Sequence, residues 1–350
     1  MSIVYKEYAP TLAATVRLVV QDRAEIQAQL EKLGQEIPAD KTAGAPFCIF
    51  HFITSVQEGH DVTLGWPVTQ VTETAHLQTQ SIPERQVLSI LHRGSPETIG
   101  ESAGKLFAYA NRYAIISDEF YREVYLDATH PDGPGVEIHF MIHDWNKKLS
   151  AGLKRVLGQE TAQAVMAESE TLEIESGVDA RFEWVKGMLE RLSSVADDDQ
   201  RFDILSGCAH VFPVEQIAKL TAVFDETRAC TGDPLQAVDA VIAFMDQDPG
   251  WGEGGRREGY TIYTAKNPRD PKAYAAAQTD LERRQAYCFC PLIRSKIDQG
   301  MPVDFCYCGS GWARQQWEGA TGKPVRVEVL QSVLRGDEKC EFAVHLSRDI

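Results

Sequence analysis

Residues Tyr121–Asp144 read YREVYLDATHPDGPGVEIHFMIHD, two alternating runs of apolar and polar residues joined by a loop rich in glycine and proline. A period of two predicts paired strands that share one core face. The other face mixes carboxylates, aromatic rings and imidazoles, which favours a cationic or electron-poor ligand, bound through charge and ring faces. The alternative is an ordinary solvated sheet face with incidental aromatics. The residues of this mixed face are Tyr121, Glu123, Tyr125, Glu137, His139, Met141 and His143.

The composition is that of a globular protein with an acidic surface. The chain has 350 residues, of which 43% are hydrophobic, and its net charge is −16. This charge repels phosphate backbones, so direct nucleic-acid binding is not expected. No apolar run approaches the ~20 residues of a membrane span, and the N-terminus lacks the pattern of a secretion signal. We therefore expect a cytoplasmic, two-domain α+β protein without a membrane partner. Its eight cysteines should be thiols, metal ligands or catalytic groups rather than disulfides.

The first 145 residues contain an internal repeat. Each half is predicted to be a β-α-β-β unit, and two such units can pair their sheets across a pseudo-twofold axis, leaving a groove between them. The elements of the first half are Val4–Leu18, Asp22–Leu33, Pro46–Ile53 and His60–Val68; those of the second are Ile82–Gly94, Pro96–Tyr113 and the two opening runs.

This order of motifs resembles the GyrI-like family, the effector-binding domain of bacterial multidrug-responsive regulators. The resemblance covers residues 1–145 and rests on IPERQVLSILHRGSPETIGESAGKLFAYA, REVYLD and VEIHFMI. It implies a groove for amphipathic, often cationic, small molecules, with Glu137 at the family's groove-facing acidic position. Glu123 matches a second acidic position that some members use. The DNA-reading helices of the family's regulators are missing from this sequence, and Thr63 stands in the first half where the second has Glu137.

Three functions are consistent with this resemblance. The leading one is a sensor or drug-sequestering protein whose ligand contacts are Glu137, Glu123, Tyr125, Tyr121, His139 and Met141. The second is a hydrolase that detoxifies a small electrophile, because some members hydrolyse strained natural products. There Glu137 and Glu123 would be catalytic: desolvation would raise the pKa of Glu137, and a carboxyl beside Tyr125 can act as general acid or base. The third is protein interaction, as in relatives that restrain DNA gyrase.

Seven of the eight cysteines lie in a predicted cysteine-rich α+β domain, residues 201–350, which follows a GyrI-like domain at 1–148 and a helical connector at 149–200. Two C-x-C pairs, Cys288 with Cys290 and Cys306 with Cys308, can supply four thiolates to zinc or to an iron–sulfur cluster. On a strand, C-x-C places both thiols on one face. The alternative is that these cysteines are small buried hydrophobes.

Cys308 has a distinct environment in the predicted structure. The sequence DFCYCGSGWARQQWEGATG indicates a strand, a Gly-Ser-Gly turn and then a helix, with Cys308 at the end of the strand. A helix N-terminus lowers the pKa of a thiol and presents N–H groups to an anion, so Cys308 is a candidate nucleophile or thiolate ligand. Either His210 or His345 could act as the base for Cys308, but only if the fold brings that histidine close to the thiol.

The C-terminal sequence predicts a β-hairpin that turns at Arg335–Lys339. Its pattern, with Cys340 near the end, loosely resembles the four-vinyl-reductase-type small-molecule-binding domains and the aminothiazoline carboxylate hydrolase-like proteins over residues 200–346. This second resemblance implies an α+β domain with a ligand cavity and, in some members, cysteine chemistry. It assigns no catalytic residue here.

Overall fold

The computed structural model describes residues 2–51, 59–83, 85–127, 130, 133–173, 175–212, 214–248 and 251–350, without the side chains of 117–120. Residues 52 and 53 of the predicted strand Pro46–Ile53 and part of the loop after Leu126 lie outside this range. The chain divides into two compact units, Met1–His143 and Asp144–Ile350. In the described residues no helix combines the length and the apolar character that a membrane crossing needs.

The N-terminal unit consists of two helices and a curled, antiparallel eight-stranded sheet with the strand order β1-β6-β8-β7-β3-β4-β2-β5. The predicted α+β class and the duplication are confirmed. The strands are β1 (Ile3–Tyr8), β2 (Thr11–Val20), β3 (Phe47–His51), β4 (His60–Pro67), β5 (Gln78–Ile82), β6 (Arg85–His92), β7 (Ser117–Leu126) and β8 (Gly135–Ile142); the helices are α1 (Arg23–Gly34) and α2 (Ile99–Arg112).

Each half has one strand more than predicted, so the repeat is β-β-α-β-β. The run Val4–Leu18 is two strands because it is interrupted at Pro10, and β5 and β6 are likewise separated at Pro83. Proline lacks the N–H that a sheet ladder requires. The additional strands are exchanged between the halves: β1 pairs with β6 and β5 pairs with β2. The pseudo-twofold axis therefore passes between β3 and β7, the neighbours at the centre of the sheet.

The two faces of this sheet have different surroundings. Ile26, Leu30 and Leu33 of α1 join one core cluster with the side chains of β3 and β4, and Phe107 of α2 contacts Phe140 of β8 with ring centroids 5.2 Å apart. We call this side the helix-covered face and the opposite side the helix-free face. Trp66 is buried on the helix-covered face.

The C-terminal unit combines ten helices among its described residues with a sheet of order β11-β12-β10-β9. Its core joins side chains of α7, α8 and α12 with those of β10, β11 and β12, around the buried Trp317 and Phe224. The strands are β9 (Arg256–Glu258), β10 (Thr261–Ala265), β11 (Arg326–Gln331) and β12 (Glu341–His345); the helices are α3 (Trp145–Leu157), α4 (Gln159–Val165), α5 (Val178–Ser193), α6 (Asp198–Ser206), α7 (Val214–Thr231), α8 (Pro234–Met245), α9 (Pro271–Ala276), α10 (Asp280–Tyr287), α11 (Pro291–Arg294) and α12 (Tyr307–Thr321).

Several sequence-based expectations change in this unit. The segment 149–200, expected to be a connector, lies inside it: α3 packs on α6, which packs on α12. The C-x-C pairs do not lie on strands, because Cys288 and Cys290 follow α10, and Cys308 is in the first turn of α12. The predicted terminal hairpin is confirmed, since β11 and β12 pair antiparallel.

Candidate functional site

The candidate site on the helix-free face is centred on Glu137 of β8. The Glu137 side chain is only 10% exposed, and its carboxylate has three contacts from neighbouring strands. Lys6 of β1 forms an ion pair with it, Ser89 of β6 donates a hydrogen bond, and the Tyr8 hydroxyl donates one at 3.2 Å. These side chains meet because β1, β6 and β8 are adjacent, and the register sets Ser89 beside His139, two residues from Glu137.

His139 connects this carboxylate to a second cation. Its Nε2 lies 3.2 Å from Glu137 and 3.0 Å from the Tyr8 hydroxyl, while Arg122 of β7 donates to Nδ1 from Nε at 3.1 Å and from Nη2 at 2.9 Å. A guanidinium is only a donor, so Nδ1 must be the acceptor and Nε2 carries the proton of the neutral ring. Burial, joined by the charge of Arg122, lowers the pKa of His139 to about 4. The imidazole is therefore neutral near pH 7.

The expected rise in the pKa of Glu137 is wrong. Burial alone raises it, but hydrogen bonds from His139, Lys6 and Ser89 together outweigh burial, and the pKa of Glu137 lies well below its usual range. Desolvation alone would raise the pKa, but the donors, which come from three different strands, reverse the direction of the shift. Glu137 is thus a firmly ionised carboxylate and is not poised as a general acid.

Glu123 belongs to the opposite side of the sheet. Val124, not Glu123, pairs with Glu137 in the β7–β8 register, so Glu123 points to the helix-covered face. The expectation that the two carboxylates share a face is wrong, and with it the shared site that the hydrolase alternative required. Sequence alternation gives the faces within each run, but the register between the runs depends on the loop that joins them.

On the helix-covered face, Glu123 is fully buried and forms an ion pair with Arg23 at the start of α1. The guanidinium donates two hydrogen bonds, of 2.8 and 3.2 Å, and the hydroxyls of Tyr125 and Tyr121 donate at 2.8 and 3.3 Å. Burial, reinforced by the Glu123 charge, holds the pKa of both tyrosines above the usual range. Tyr121 also stacks on Phe50 at 4.6 Å, which ties this network to the α1 core.

The structure thus divides the predicted ligand residues into two groups. Glu137, His139 and Met141 lie on the helix-free face; Met141 is buried and pairs with Val87 of β6. Glu123, Tyr121 and Tyr125 lie on the helix-covered face. The sequence reasoning missed the cations and donors that complete both networks, namely Lys6, Tyr8, Ser89 and Arg122 around Glu137, and Arg23 beside Glu123. The alternation of Lys6 and Tyr8 in β1 was the available signal, but it did not show that β1 lies beside the second half.

Four cysteines of the C-terminal unit form a loose, partly buried group. Cys288, Cys290, Cys306 and Cys340 lie near enough to one another for a charge on one thiol to affect others, and Cys306 Sγ is 3.1 Å from the Ser332 hydroxyl. Burial raises the pKa of Cys288 to about 11 and that of Cys290 to about 12. Within the described ranges, no three His, Cys, Asp or Glu side chains are arranged to hold a metal ion. Zinc or an iron–sulfur cluster at Cys288, Cys290, Cys306 and Cys308 stays a prediction.

The pKa of the Cys308 thiol depends on burial, on two ammonium groups and on an indole. Burial raises its pKa, contrary to the expectation from its position at a helix N-terminus, while Trp145, Lys266 and Lys148 oppose the rise. The ring of His345 lies instead between Thr261 and Glu328, at 3.2 and 3.3 Å.

Comparison with known proteins identifies the N-terminal unit. The chain resembles the crystal structure of the EcmrR C-terminal domain (18% identity, 40% of this chain and 96% of that chain, TM-score 0.37). It also resembles SAV2435 bound to tetraphenylphosphonium (13%, 42% and 97%, 0.30) and a hydrolase encoded by lin2189 from Listeria innocua (6%, 40% and 91%, 0.30). No curated protein sequence matches significantly. The family model of the GyrI-like small molecule binding domain matches residues 1–142, so the N-terminal unit is a GyrI-like domain.

Proposed function

We propose that the N-terminal unit binds an amphipathic small molecule with a positive charge at the helix-free face, with Glu137 as its charge partner, and acts as a sensor or a sequestering protein. The GyrI-like family supports a small-molecule ligand. The observation that carries the choice of a cation is the nearly buried, ionised carboxylate of Glu137, which is held by a lysine of an edge strand.

Glu137 and Glu123 each already form an ion pair within the protein, so a ligand cation must displace either Lys6 or Arg23. Arg23 holds Glu123 with two hydrogen bonds, donates a third to Tyr121 and lies over the Phe50 ring at 5.6 Å. Among the residues that the structure describes, the Lys6 ammonium has one hydrogen-bond partner, Glu137, and the Lys6 side chain is 37% exposed. A lysine ammonium on a flexible stem leaves a carboxylate more readily than a bidentate arginine. Glu137 is therefore the better site for exchange.

Arg122 stays in place during such an exchange. It is anchored to His139 and lies over the rings of Tyr8 and Phe47, at 4.8 and 5.6 Å from their centroids. Because Arg122 does not contact Glu137, it need not move when Lys6 leaves. The ligand cation takes the place of the Lys6 ammonium, and its apolar part covers the apolar side chains next to Glu137, such as Val124 and Leu91, which pair with it on either side.

The test uses tetraphenylphosphonium, a lipophilic cation, and neutral triphenylphosphine oxide, with binding measured by calorimetry on the full chain. We expect Lys6→Met to tighten tetraphenylphosphonium binding about fivefold, because removal of a competing partly exposed ion pair is worth about 1 kcal/mol. Glu137→Gln should abolish the preference for the cation over the neutral compound. Lys105→Met, at an exposed lysine of α2, is the matched control. Equal affinities of Lys6→Met and Lys105→Met, or no preference for the cation in the unaltered chain, would overturn the proposal.

A further inference from the structure

The Arg122 guanidinium on the helix-free face is buried without a carboxylate bound to it. Arg122 is 7% exposed. Among the residues that the structure describes, its one hydrogen-bond acceptor is Nδ1 of His139, which lies 3.1 Å from Nε and 2.9 Å from Nη2. The guanidinium also lies over the rings of Tyr8 and Phe47. Arginine is almost never buried unless it is paired with an anion, so this environment lacks a partner that arginine normally has.

The hydrogen-bonding capacity of Arg122 is largely unused. A guanidinium has five N–H groups, and two of those of Arg122 are directed at the same imidazole nitrogen of His139. The other three, both on Nη1 and one on Nη2, have no acceptor among the described residues, and Nη1 is not completely buried. Nη1 and Nη2 together form the outer fork of the guanidinium. A fork of this kind binds both oxygens of a carboxylate.

The charges joined by this network do not balance. Lys6 and Arg122 are positive and Glu137 is negative, while the imidazole of His139 is neutral near pH 7. Burial lowers the pKa of the Arg122 guanidinium; the charge of Glu137 opposes this effect and the charge of Arg85 adds to it. A ligand with only a positive charge would replace Lys6 and leave the positive surplus unchanged. A ligand that also carries a carboxylate would neutralise the surplus.

The imidazole of His139 sets the spacing between the two charged groups. Its Nε2 lies 3.2 Å from the Glu137 carboxylate, and its Nδ1 lies 2.9 Å from Arg122 Nη2. The carboxylate and the guanidinium therefore lie at opposite edges of one ring, which is itself fully buried. A ligand that reaches both groups needs its own charges separated by more than the width of an imidazole. An α-amino acid, whose two charged groups share one carbon atom, does not meet this requirement.

We propose that Arg122 is a specificity-determining residue of this site and that the preferred ligands are zwitterionic amphipathic molecules: the cation pairs with Glu137, and a carboxylate several carbon atoms away binds the outer fork of Arg122. This inference rests on the proposed function, because the ligand cation must first take the place of Lys6. Arg122 keeps both hydrogen bonds to His139 when the carboxylate binds, so its orientation is set before the ligand arrives.

The experiment compares carboxybutyl-triphenylphosphonium, which is a zwitterion at neutral pH, with its methyl ester, a cation of almost the same size. Calorimetry on the full chain gives both affinities, and competition with tetraphenylphosphonium establishes that the two compounds share one site. The unaltered chain should bind the zwitterion about tenfold more tightly than the ester, because hydrogen bonds between charged groups in a partly buried site are strong. Equal affinities, or tighter binding of the ester, would overturn the proposal.

Three variants assign the preference to the guanidinium. Arg122→Met should reverse it, so that the ester binds more tightly, because Glu137 then repels the carboxylate without compensation. Arg122→Lys should retain only part of the preference, since an ammonium does not bind both oxygens in a fixed geometry. Arg112→Met, at an exposed arginine of α2, is the matched control and should leave the preference unchanged. Circular dichroism establishes that each variant is folded, and the Arg122→Lys result decides the role of the guanidinium if Arg122→Met does not fold.

The outcomes separate this inference from the proposed function. If the ester and tetraphenylphosphonium bind and both lose affinity in Glu137→Gln, the cation site is present. An unchanged preference for the zwitterion in folded Arg122→Met or Arg122→Lys would then refute the role of Arg122 alone. If neither cation loses affinity in Glu137→Gln, the proposed function is wrong and this inference fails with it.

Discussion

Arg23→Leu should destabilise the N-terminal unit far more than its position at the end of a surface helix suggests. The substitution removes two hydrogen bonds, of 2.8 and 3.2 Å, from a carboxylate that is fully buried. Breaking a buried ion pair in this way costs about 3–5 kcal/mol. Because 32% of the Arg23 side chain is exposed, water reaches the site, and we expect a loss at the lower end of that range, about 3 kcal/mol.

A matched control exists in the same sheet. Arg17 and Asp61 form a similar bidentate pair at 2.9 and 2.6 Å, but the Asp61 side chain is 25% exposed. Arg17→Leu should therefore cost about 1 kcal/mol or less. The double variant Arg23→Leu/Glu123→Leu should recover at least about 1 kcal/mol relative to Arg23→Leu, because no charge is then buried without a partner.

The measurement is native-state hydrogen exchange on peptides of β3 and β7, which reports the opening free energy of this sheet separately from the C-terminal unit. A loss in Arg23→Leu that is no greater than in Arg17→Leu would refute the reasoning, because the two pairs differ chiefly in the burial of the carboxylate. Absence of recovery in the double variant would show that the loss comes from the arginine stem and not from the unpaired charge.

Further predictions concern the pH dependence and the packing of the same sheet. The folded-state pKa of His139 is depressed to about 4, so the unfolded chain binds a proton first and stability falls as pH drops from about 6.5 towards 4. His139→Gln should remove up to about 3 kcal/mol of this decrease, whereas His76→Gln, at an exposed histidine, should not, as urea denaturation at a series of pH values would reveal. Gly65→Ala should cost about 2 kcal/mol or more, because its Cβ would lie 2.2 Å from the Phe47 ring. Gly100→Ala, on α2 with nothing within 4 Å, should instead stabilise by about 0.5–1 kcal/mol in the same denaturation assay.

The duplication and the strands around Glu137 were predictable from the sequence because they depend on local alternation. The partners of Glu137 were not, because Lys6 and Tyr8 reach it through the pairing of β1 with the other half of the repeat. Nothing within β1 itself specifies that neighbour, and a one-residue change in register would turn each side chain to the other face. For the same reason, the sign of the Glu137 pKa shift depended on donors from distant strands.

The first turn of α12 shows a different limit of prediction from sequence. Its Gly-Ser-Gly sequence is typical of a turn, but these residues are helical. A Cβ on Gly311 would lie 2.1 Å from the Ser206 carbonyl oxygen, so this glycine allows α12 to pack closely on α6. Glycine is required there because two helices pack closely. The sequence alone does not distinguish such a glycine from a glycine in a turn, because the residue that it contacts lies far away along the chain.

The exchange of β1 and β5 has a consequence for synthesis on the ribosome. When the first half has emerged, β1 still lacks β6, the outer edge of β2 still lacks β5 and β3 still lacks β7, so backbone donors and acceptors of three strands wait for residues that have not been translated. Unpaired strand edges recruit other chains. A truncated chain that ends before β5 would meet its missing strands most readily on a second copy of itself, giving a dimer in which two identical halves reproduce the sheet that the full chain forms alone.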